Sequence, residues 1–491
     1  MTTATVPTHQ TERQRWIALV VLCLGFLMII LDATIVNVAL PSIQSDLGFS
    51  QSGLAWVVNA YLIAFGGLLL LAGRLGDLIG RRRVFLTGLV AFTTASLICG
   101  VAQSRGVLIG ARFVQGIGGA LTSAVILGMI VTMFQQPRER AKAIGVYSFV
   151  ASSGASIGLL AGGVLTQTIN WHWIFFVNLP IGVATFILAR RLIEKDEGIG
   201  LDKGADTPGA VLITGALMLA VYTIVEARDF GWGSLHTLGL GAVALGLLAG
   251  FIVRQATAEH PLMPLRVFRS RNVWAANLIQ TLMVAGMFGM FFLGALYLQR
   301  VLGFDPIEVG LAFLPVSVGI GVMSLGFSER LITRFGPKAT LIPGLVLIIA
   351  GLFLFARSPI NASYWVDVLP SMVMIGIGAG VAFPALMTLA MSGATPADSG
   401  LASGLVNTTQ QVGGALGLAV LATLSTTRTD HLLSSGTSSH SALTSGYHLA
   451  FLIGAGLVIV AISLAVSMLQ PPMAAEQEQG AFEGELQTEA A

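Results

Sequence analysis

Long apolar runs, separated by short polar segments, dominate the chain from residue 16 to residue 469. A helix needs about 20 apolar residues to cross the hydrocarbon core of a bilayer. The pattern therefore predicts an all-α polytopic membrane protein with fourteen spans, near residues 16–40, 53–72, 84–103, 106–133, 143–165, 172–189, 208–226, 236–254, 273–298, 306–328, 339–356, 365–391, 401–426 and 447–469.

Composition and charge placement agree with this topology. The chain is 55% hydrophobic and 10% charged, whereas a soluble protein carries about a quarter charged residues. With a cytoplasmic N-terminus, twenty of the 26 Lys and Arg residues fall in cytoplasmic segments and five outside, and Arg112 lies within a span. This asymmetry is what the positive-inside rule expects, so both termini are predicted to be cytoplasmic. The net charge of +2 does not indicate a nucleic-acid partner.

Two short matches indicate an internal duplication. "RLGDLIGRR" (Arg74–Arg82) aligns with "RLITRFGPK" (Arg330–Lys338), and "GVYSFVASSGASIG" (Gly145–Gly158) aligns with "GLVNTTQQVGGALG" (Gly404–Gly417) at nearly the same offset. Such parallel repeats are typical of transporters that bind their cargo between two halves. The predicted units are an N-terminal tail and six-helix bundle, a linker and two-helix insert, a C-terminal six-helix bundle, and an acidic disordered tail, at 1–197, 198–262, 263–470 and 471–491.

Two polar segments are predicted to lie in water. The linker before the insert, "RRLIEKDEGIGLDKGAD", is rich in charge, and we expect it to be solvated. The segment "STTRTDHLLSSGTSSHSALTSG", before the last span, is predicted to be a long outer loop.

The first span contains a carboxylate, Asp32, in the stretch "LDATIVNVALP". At 1.5 Å per residue Asp32 lies about 12 Å from the outer end of its span, and Arg112 lies about 9 Å from the outer end of span four. A lone charge at this depth costs roughly 2.5–3.5 kcal/mol on insertion scales, so we predict that the two side chains partner each other. One interpretation is a titratable site that couples a proton to cargo. The other is a static pair that fixes helix register.

The stretch "GRLGDLIGRRR" follows span two on the cytoplasmic side. Its glycines permit a tight turn, and its single acid lies among four arginines. The predicted conformational latch consists of Gly73, Asp77, Gly80, Arg81 and Arg82. Asp77 is expected either to pair with an arginine or to lie at a helix N-terminus. The alternative is a basic anchor with one counter-ion, and the second copy has Thr333 in place of the acid.

These motifs together resemble the major facilitator superfamily, and "LDATIVNVALP" and "NWHWIFFVNLP" resemble its fourteen-span drug:proton antiporters. The resemblance implies two six-helix bundles, alternating access, and proton-driven export of lipophilic, often cationic compounds. It also implies that Asp32 and Arg112 take part in proton or substrate coupling. Span five carries glycines that match the antiporter motif of the family, Gly145, Gly154, Gly158, Gly162 and Gly163. Leu159 replaces the proline of that motif, so a proline kink is not expected, although close helix packing is.

A cargo pocket should be mostly apolar with a few polar groups. Met283, Met287 and Met290 recur at helical spacing in span nine, and flexible thioethers suit variable ligands. The alternative interpretation is a core or lipid-facing stripe. The candidate pocket residues are Asn37, Asn59, Gln115, Asn277, Gln280, Met283, Met287, Met290, Asn407 and Gln411. The alternative role of the amides is interhelical hydrogen bonding.

Signatures of an enzyme are absent from the sequence, which has no phosphate-binding loop of the GxxxxGK[ST] type and no HExxH. We therefore expect no cofactor, and a proton gradient as the energy source. His431, His440 and His448 are spaced unlike a metal site. The predicted function is proton-coupled efflux of lipophilic cations by a monomer in a bacterial cytoplasmic membrane. The alternatives are a dedicated exporter of one endogenous product and a membrane receptor that does not transport.

Overall fold

The structure, a computed structural model, describes residues 11–134, 136–200, 204, 206–259, 261–263, 270–391 and 399–470. The acidic tail predicted at 471–491 lies outside the described residues. No β-strand occurs in the described ranges. The helices are α1 (Glu12–Leu47), α2 (Gln51–Leu54), α3 (Trp56–Ile79), α4 (Arg81–Gly100), α5 (Arg105–Met133), α6 (Pro137–Thr168), α7 (Trp173–Phe176), α8 (Asn178–Leu192), α9 (Thr207–Phe230), α10 (Leu235–Thr257), α11 (Arg271–Arg300), α12 (Pro306–Val322), π1 (Met323–Phe327), α13 (Ser328–Phe335), α14 (Pro337–Phe355), π2 (Tyr364–Val368), α15 (Leu369–Met391), α16 (Ser399–Ser434) and α17 (Ser439–Met468).

All fourteen apolar segments identified in the sequence fall on helices of this architecture. Among the described residues, eleven helical stretches are long and apolar enough to cross a membrane, and Ile157–Thr168 and Pro306–Val322 are shorter apolar helices. Large apolar side chains such as Val20, Leu245 and Val366 are exposed on the outside of the molecule, as a lipid-facing surface requires. The chain is therefore a multi-pass, all-helical membrane protein.

The predicted outer loop before the last span is wrong in extent. Helix α16 continues to Ser434 and α17 begins at Ser439, so helix covers most of residues 425–446. The hydroxyls that made this segment look like a loop bond to carbonyls of their own helix, as Thr427 does to Thr423 and Thr444 does to His440. This segment is polar because the ends of α16 and α17 extend beyond the apolar parts of their spans.

Equivalent glycines of the two motif copies lie where equivalent pairs of helices pack against each other. A methyl group added at Gly154 of α6 would lie 3.0 Å from Ile30 Cγ2 of α1. A methyl group added at its counterpart, Gly413 of α16, would lie 2.7 Å from the carbonyl oxygen of Thr281 in α11. Small residues at such crossings allow helix backbones to approach closely in a membrane. The two motif copies therefore occupy equivalent packing positions.

Helices before the insert also contact helices after it. Gly66 of α3 faces Gln411 of α16, with 2.7 Å between an added methyl and Gln411 Cβ. On the outer side Gln299 donates a hydrogen bond to the carbonyl oxygen of Val38 (2.9 Å). The inserted helix α9 packs against α3, α10 and α16. The insert is thus attached to the rest of the molecule through α9.

A buried carboxylate joins α9 and α10 at the end of the pair where α9 begins. Asp206 caps α9 by accepting from the backbone amide of Gly209 (3.0 Å), and it also accepts from Arg254 Nε (3.0 Å) and Gln255 Nε2 (2.7 Å) of α10. Burial raises the pKa of the Asp206 carboxyl, but the hydrogen bonds from Gln255, Gly209 and Arg254 lower it more, so its pKa lies below the usual value. This cluster holds α9 against α10.

Asp206→Asn should loosen the insert at neutral pH by about 1–3 kcal/mol, because the ionised acceptor of three hydrogen bonds is lost. A lowered pKa means that the stabilisation is present above the unfolded-state pKa of about 3.9 and is lost as pH falls through the lower folded-state pKa. Hydrogen exchange of α9 and α10 measures this. The difference in protection between parent and variant should be full at pH 7 and should shrink below about pH 4. An equal difference at pH 7 and pH 3 would contradict this role.

Candidate functional site

The first-span carboxylate is buried inside the N-terminal part of the protein. Asp32 lies in α1 and has no solvent-exposed surface, and Arg112 of α5 is equally buried. Arg112 Nη1 lies 2.5 Å from Asp32 Oδ2. The sequence prediction that the two charges pair is confirmed by this contact. Their role in coupling is not tested by it and stays a prediction.

The side-chain amide of Gln115 bonds to both members of the Asp32–Arg112 pair. Gln115 lies one turn after Arg112 in α5, and its Oε1 accepts a hydrogen bond from Arg112 Nη1 (2.8 Å). Its Nε2 donates to Asp32 Oδ1 (2.7 Å). Cys99 of α4 donates its thiol to the same Gln115 oxygen at 3.6 Å. Gln115, proposed from sequence as a cargo contact, is therefore part of the charge cluster.

Two residues of this cluster were missed by the sequence interpretation. Asn178 Nδ2 donates to Asp32 Oδ1 (3.0 Å) and to Ser96 Oγ of α4 (3.0 Å). Ser96 in turn donates to the carbonyl oxygen of Phe175 (2.9 Å). Asn178 is the first residue of α8, directly after Val177, which joins α8 to the short helix α7 with helical backbone angles. The stretch "NWHWIFFVNLP" contains Asn178, but it was used only to support the family resemblance.

The guanidinium of Arg112 has further partners that fix its orientation. Its Nε donates to the carbonyl oxygen of Val57 in α3 (2.9 Å). Its Cζ lies 4.5 Å from the ring centroid of Tyr61 and 5.8 Å from that of Phe175. Cation–π contacts of this kind are strongest when they are desolvated. Arg112 Nη2 lacks a hydrogen-bond partner among the described residues, so the site holds one unused donor beside the carboxylate.

The ionised and the protonated forms of Asp32 differ in how well these contacts satisfy them. Two desolvated charges are stable only with good geometry and added hydrogen bonds, and the ionised pair has both. Asp32 accepts hydrogen bonds from Arg112, Gln115 and Asn178, which satisfy both of its carboxylate oxygens. Protonation would remove the attraction to Arg112 and leave its charge buried and unpaired. A change of helix packing that hydrates the site would relieve that cost.

The glycine-rich segment after α3 forms a tight turn into α4. Gly80 has φ +99°, a conformation that glycine adopts without strain. Asp77 pairs with Arg81 at 3.1 Å, one turn later. Arg81 Nη1 also donates to the carbonyl oxygen of Gly128 in α5 (3.0 Å). Of the two sequence expectations for Asp77, the structure supports pairing with an arginine.

Asp196, a carboxylate of the linker, lies at the N-terminus of α4, which is the other position that was considered for Asp77. Asp196 accepts hydrogen bonds from the backbone amides of Arg81 (2.5 Å) and Arg82 (3.0 Å), the first residues of α4. The amide of Ile199 donates to the carbonyl oxygen of Asp77 (2.9 Å). Arg82 also donates to the carbonyl oxygen of Arg190 at the end of α8. Residues 196, 197 and 199 of the linker are exposed, as expected of a solvated segment, although backbone groups of the turn also bind this part of it.

Comparison with known proteins decides the family. The chain matches the Major Facilitator Superfamily over residues 22–418. The chain belongs to the major facilitator superfamily. Its superfamily relatives include the puromycin resistance protein of Streptomyces alboniger, which is 38% identical over 475 residues and spans 96% of this chain and 94% of its own. The cephamycin export protein of Amycolatopsis lactamdurans is 36% identical (92% of each chain), and the lincomycin resistance protein of Streptomyces lincolnensis is 33% identical (95% and 94%).

Solved structures of the superfamily share the fold. A bacterial homologue of the human lysosomal transporter Spinster, inward-facing and unoccupied, superposes with a TM-score of 0.66 at 17% identity, and covers 94% of this chain and all of its own. The nucleoside transporter NupG gives 0.64 at 14% identity, over 92% and 100%. The prediction of an all-helical major facilitator fold is thereby confirmed, as is that of a transporter family rather than an enzyme.

The motif glycines of α6 contact both halves. Gly158 faces Thr34 of α1, and a methyl at Gly162 would lie 2.6 Å from the carbonyl oxygen of Ile35. Gly163 instead faces the carbonyl oxygen of Pro306 in α12 (2.5 Å). Leu159, at the proline position of the motif, is buried in this same contact. The surroundings of Gly145 lie outside the described part of the chain.

The other cargo-pocket candidates lie on α1, α3, α11 and α16. Met283, Met287 and Met290 are buried in the apolar core, as is Asn277, which accepts from Thr409 of α16 (2.9 Å). Gln280 is also buried. Asn37 donates to Thr34 of its own helix (3.3 Å), and Asn407 and Gln411 are partly buried on α16. Contact of these residues with cargo stays a prediction.

Asn59 differs from the other amides in the set. It is fully buried in α3, and neither side-chain atom has a hydrogen-bond partner among the described residues. A buried amide normally finds a partner, so Asn59 is an exception.

The described residues give no support to metal ligation. They contain no cluster of three or more His, Cys, Asp or Glu, and His448 bonds to the carbonyl oxygen of Ser358 (2.9 Å).

Proposed function

We propose that this chain exports lipophilic, cationic drugs or toxic compounds across a bacterial cytoplasmic membrane in exchange for protons. Three relatives are named for resistance to, or export of, a single antibiotic, and one of Mycobacterium tuberculosis is named a multidrug resistance protein. These names support export as the direction of transport. The one observation that carries proton coupling is the fully buried pair of Asp32 and Arg112.

The proposed architecture has fourteen spans, with both termini in the cytoplasm. Two six-helix bundles, residues 1–197 and 263–470, would rock against each other, and the insert of 198–262 would move with α3 and α16. Equivalent packing of Gly154 and Gly413 supports the duplication. Cargo would bind between the bundles, and the turn held by Asp77, Arg81 and Asp196 would stabilise one of the two orientations.

The proposed cycle places the proton and the cargo in competition. Ionised Asp32 gives the site a negative group that attracts a lipophilic cation, and binding of that cation would weaken the contact with Arg112. Protonation from the outside would discharge the carboxylate and release the cargo there. One charge that moves across 100 mV is worth about 2.3 kcal/mol, so one proton per cycle is a usable energy source.

Everted membrane vesicles with an imposed pH gradient test this function. We expect accumulation of ethidium that collapses when the gradient is dissipated, and inhibition of that accumulation by chemically unrelated cations such as tetraphenylphosphonium and acriflavine. Accumulation that ignores the gradient would contradict proton antiport. Vesicles with the Asp32→Asn chain serve as the matched control for passive binding of the dye.

The second candidate is a dedicated exporter of one endogenous antibiotic. The cephamycin export protein and the puromycin and lincomycin resistance proteins, all from actinomycetes, favour it, because each is named for one compound. This function predicts the same gradient dependence but no competition among unrelated cations. The competition arm of the vesicle assay therefore separates the two candidates.

A further inference from the structure

Asn178 is the only side chain among the described residues that joins Asp32 to the sixth span. Its Nδ2 makes two hydrogen bonds, to Asp32 Oδ1 and to Ser96 Oγ, each 3.0 Å long. The orientation of the amide follows from the network. Ser96 uses its hydrogen for the carbonyl oxygen of Phe175 (2.9 Å), so its oxygen needs a donor, which only the NH₂ group of Asn178 supplies.

The other end of the same amide is unused. Asn178 is fully buried, and its Oδ1 has no hydrogen-bond partner in the described structure. A buried carbonyl oxygen without a donor is costly. A protonated Asp32 would carry an O–H that needs an acceptor. Rotation of the Asn178 amide by a half turn would present Oδ1 to that proton.

We propose that Asn178 is a positioning residue that responds to the protonation state of Asp32 and transmits it to α7 and α8. It donates to the carboxylate and accepts from the carboxylic acid. The half turn withdraws the donor from Ser96, and the hydroxyl of Ser96 then exchanges its bond to Phe175 for another partner. Phe175 and Asn178 lie on either side of Val177, which has helical backbone angles and joins α7 to α8 in one span, so the change acts within this span. The inference rests on proton exchange at Asp32.

The other groups around Asp32 do not combine these properties. The titratable side chains that face it are Arg112 of α5, Tyr61 of α3 and Cys99 of α4. Arg112 is a donor only and remains charged. Gln115 already uses both ends of its amide. The Tyr61 hydroxyl also lacks a hydrogen-bond partner, but it makes no bond to Asp32. Among the described residues, Asn178 is therefore the one hydrogen-bond partner of the carboxylate that holds an uncommitted acceptor.

The test is the pH profile of proton release when tetraphenylphosphonium binds the purified full-length protein. Asn178→Leu removes the bond to the carboxylate and the bond to the acid. The bond to the ionised form is charge-assisted and therefore the stronger of the two, so the midpoint should move to higher pH, by about one unit. In an Asp32→Asn background the same change should leave the profile flat. Thr122→Val is the matched control, because the Thr122 hydroxyl bonds within α5 to Gly118 (2.9 Å), and it should keep the parental midpoint.

An unchanged midpoint in folded Asn178→Leu would overturn the inference. If that variant does not accumulate, Asn178→Ala tests the same shift. Infrared difference spectra give a second measurement: the carboxylic-acid carbonyl band that is missing from Asp32→Asn should change frequency in either Asn178 variant, and an identical band would also overturn it. Failure of the proposed function looks different, because the parent itself would then release no protons on binding the cation.

Discussion

Asp32→Asn should abolish pH-gradient-driven export, to at least tenfold below the parent and close to background. The asparagine is uncharged at every pH, so the cycle loses its proton-carrying group while the shape of the side chain is kept. Because Asn resembles the protonated acid, the variant should still exchange cargo across the membrane without a gradient. Initial rates of ethidium transport in everted vesicles, with and without an imposed gradient, measure both activities.

The matched control lies on the same helix. Asp46 is at the outer end of α1, where its side chain is 55% exposed and accepts from Trp171 Nε1 (2.9 Å). Asp46→Asn should retain gradient-driven export near the parental rate. Parental export by Asp32→Asn would instead show that the buried pair is static, which is the alternative left open by the sequence.

Arg112→Gln should destabilise the protein by about 3–5 kcal/mol, because removal of one partner leaves a buried charge uncompensated. The change also removes donors from Asp32, Gln115 and the carbonyl oxygen of Val57. Arg112→Lys should recover little, because an ammonium lacks the planar fork that reaches these acceptors together. Thermal unfolding in detergent at neutral pH, followed by intrinsic fluorescence, measures the loss.

A double variant separates the charge from the packing. Asp32→Asn with Arg112→Gln removes both charges, so it should be more stable than Arg112→Gln alone, with a coupling of roughly 1–3 kcal/mol. It should still not export against a gradient. Losses that simply add in the double variant would contradict a stabilising ion pair between these two residues.

The pairing of Asp32 with Arg112 could be predicted because depth along a helix follows from residue count, and a buried charge needs a partner. The helices could be predicted for a similar reason, since hydrocarbon permits few alternatives to an apolar helix. Asn178 and Ser96 could not, because neither residue type is unusual in a span. Their role depends on which helix faces meet, and that depends on tertiary packing.

The cytoplasmic side shows the same limit. The sequence identified Asp77 among arginines, but not Asp196, which lies 119 residues later and caps α4. Local composition suggested a solvated linker, and residues 196, 197 and 199 are exposed, but composition gave no sign that backbone groups of the turn at Gly80 bind this segment. The methionine stripe is a similar case: its helical spacing fitted a pocket, a core or a lipid-facing stripe, and the burial of Met283, Met287 and Met290 excludes only the lipid-facing one.

Proton release on cargo binding is the most direct measurement of whether Asp32 changes protonation during transport. Purified protein in weakly buffered detergent solution is mixed with saturating tetraphenylphosphonium near the midpoint pH, and a pH dye records the protons set free. We expect the parent to release protons. Asp32→Asn, which lacks the attracting carboxylate, should bind the cation more weakly and release no protons even at saturating concentration. Equal release by the two proteins would show that another group carries the proton, and would contradict the mechanism.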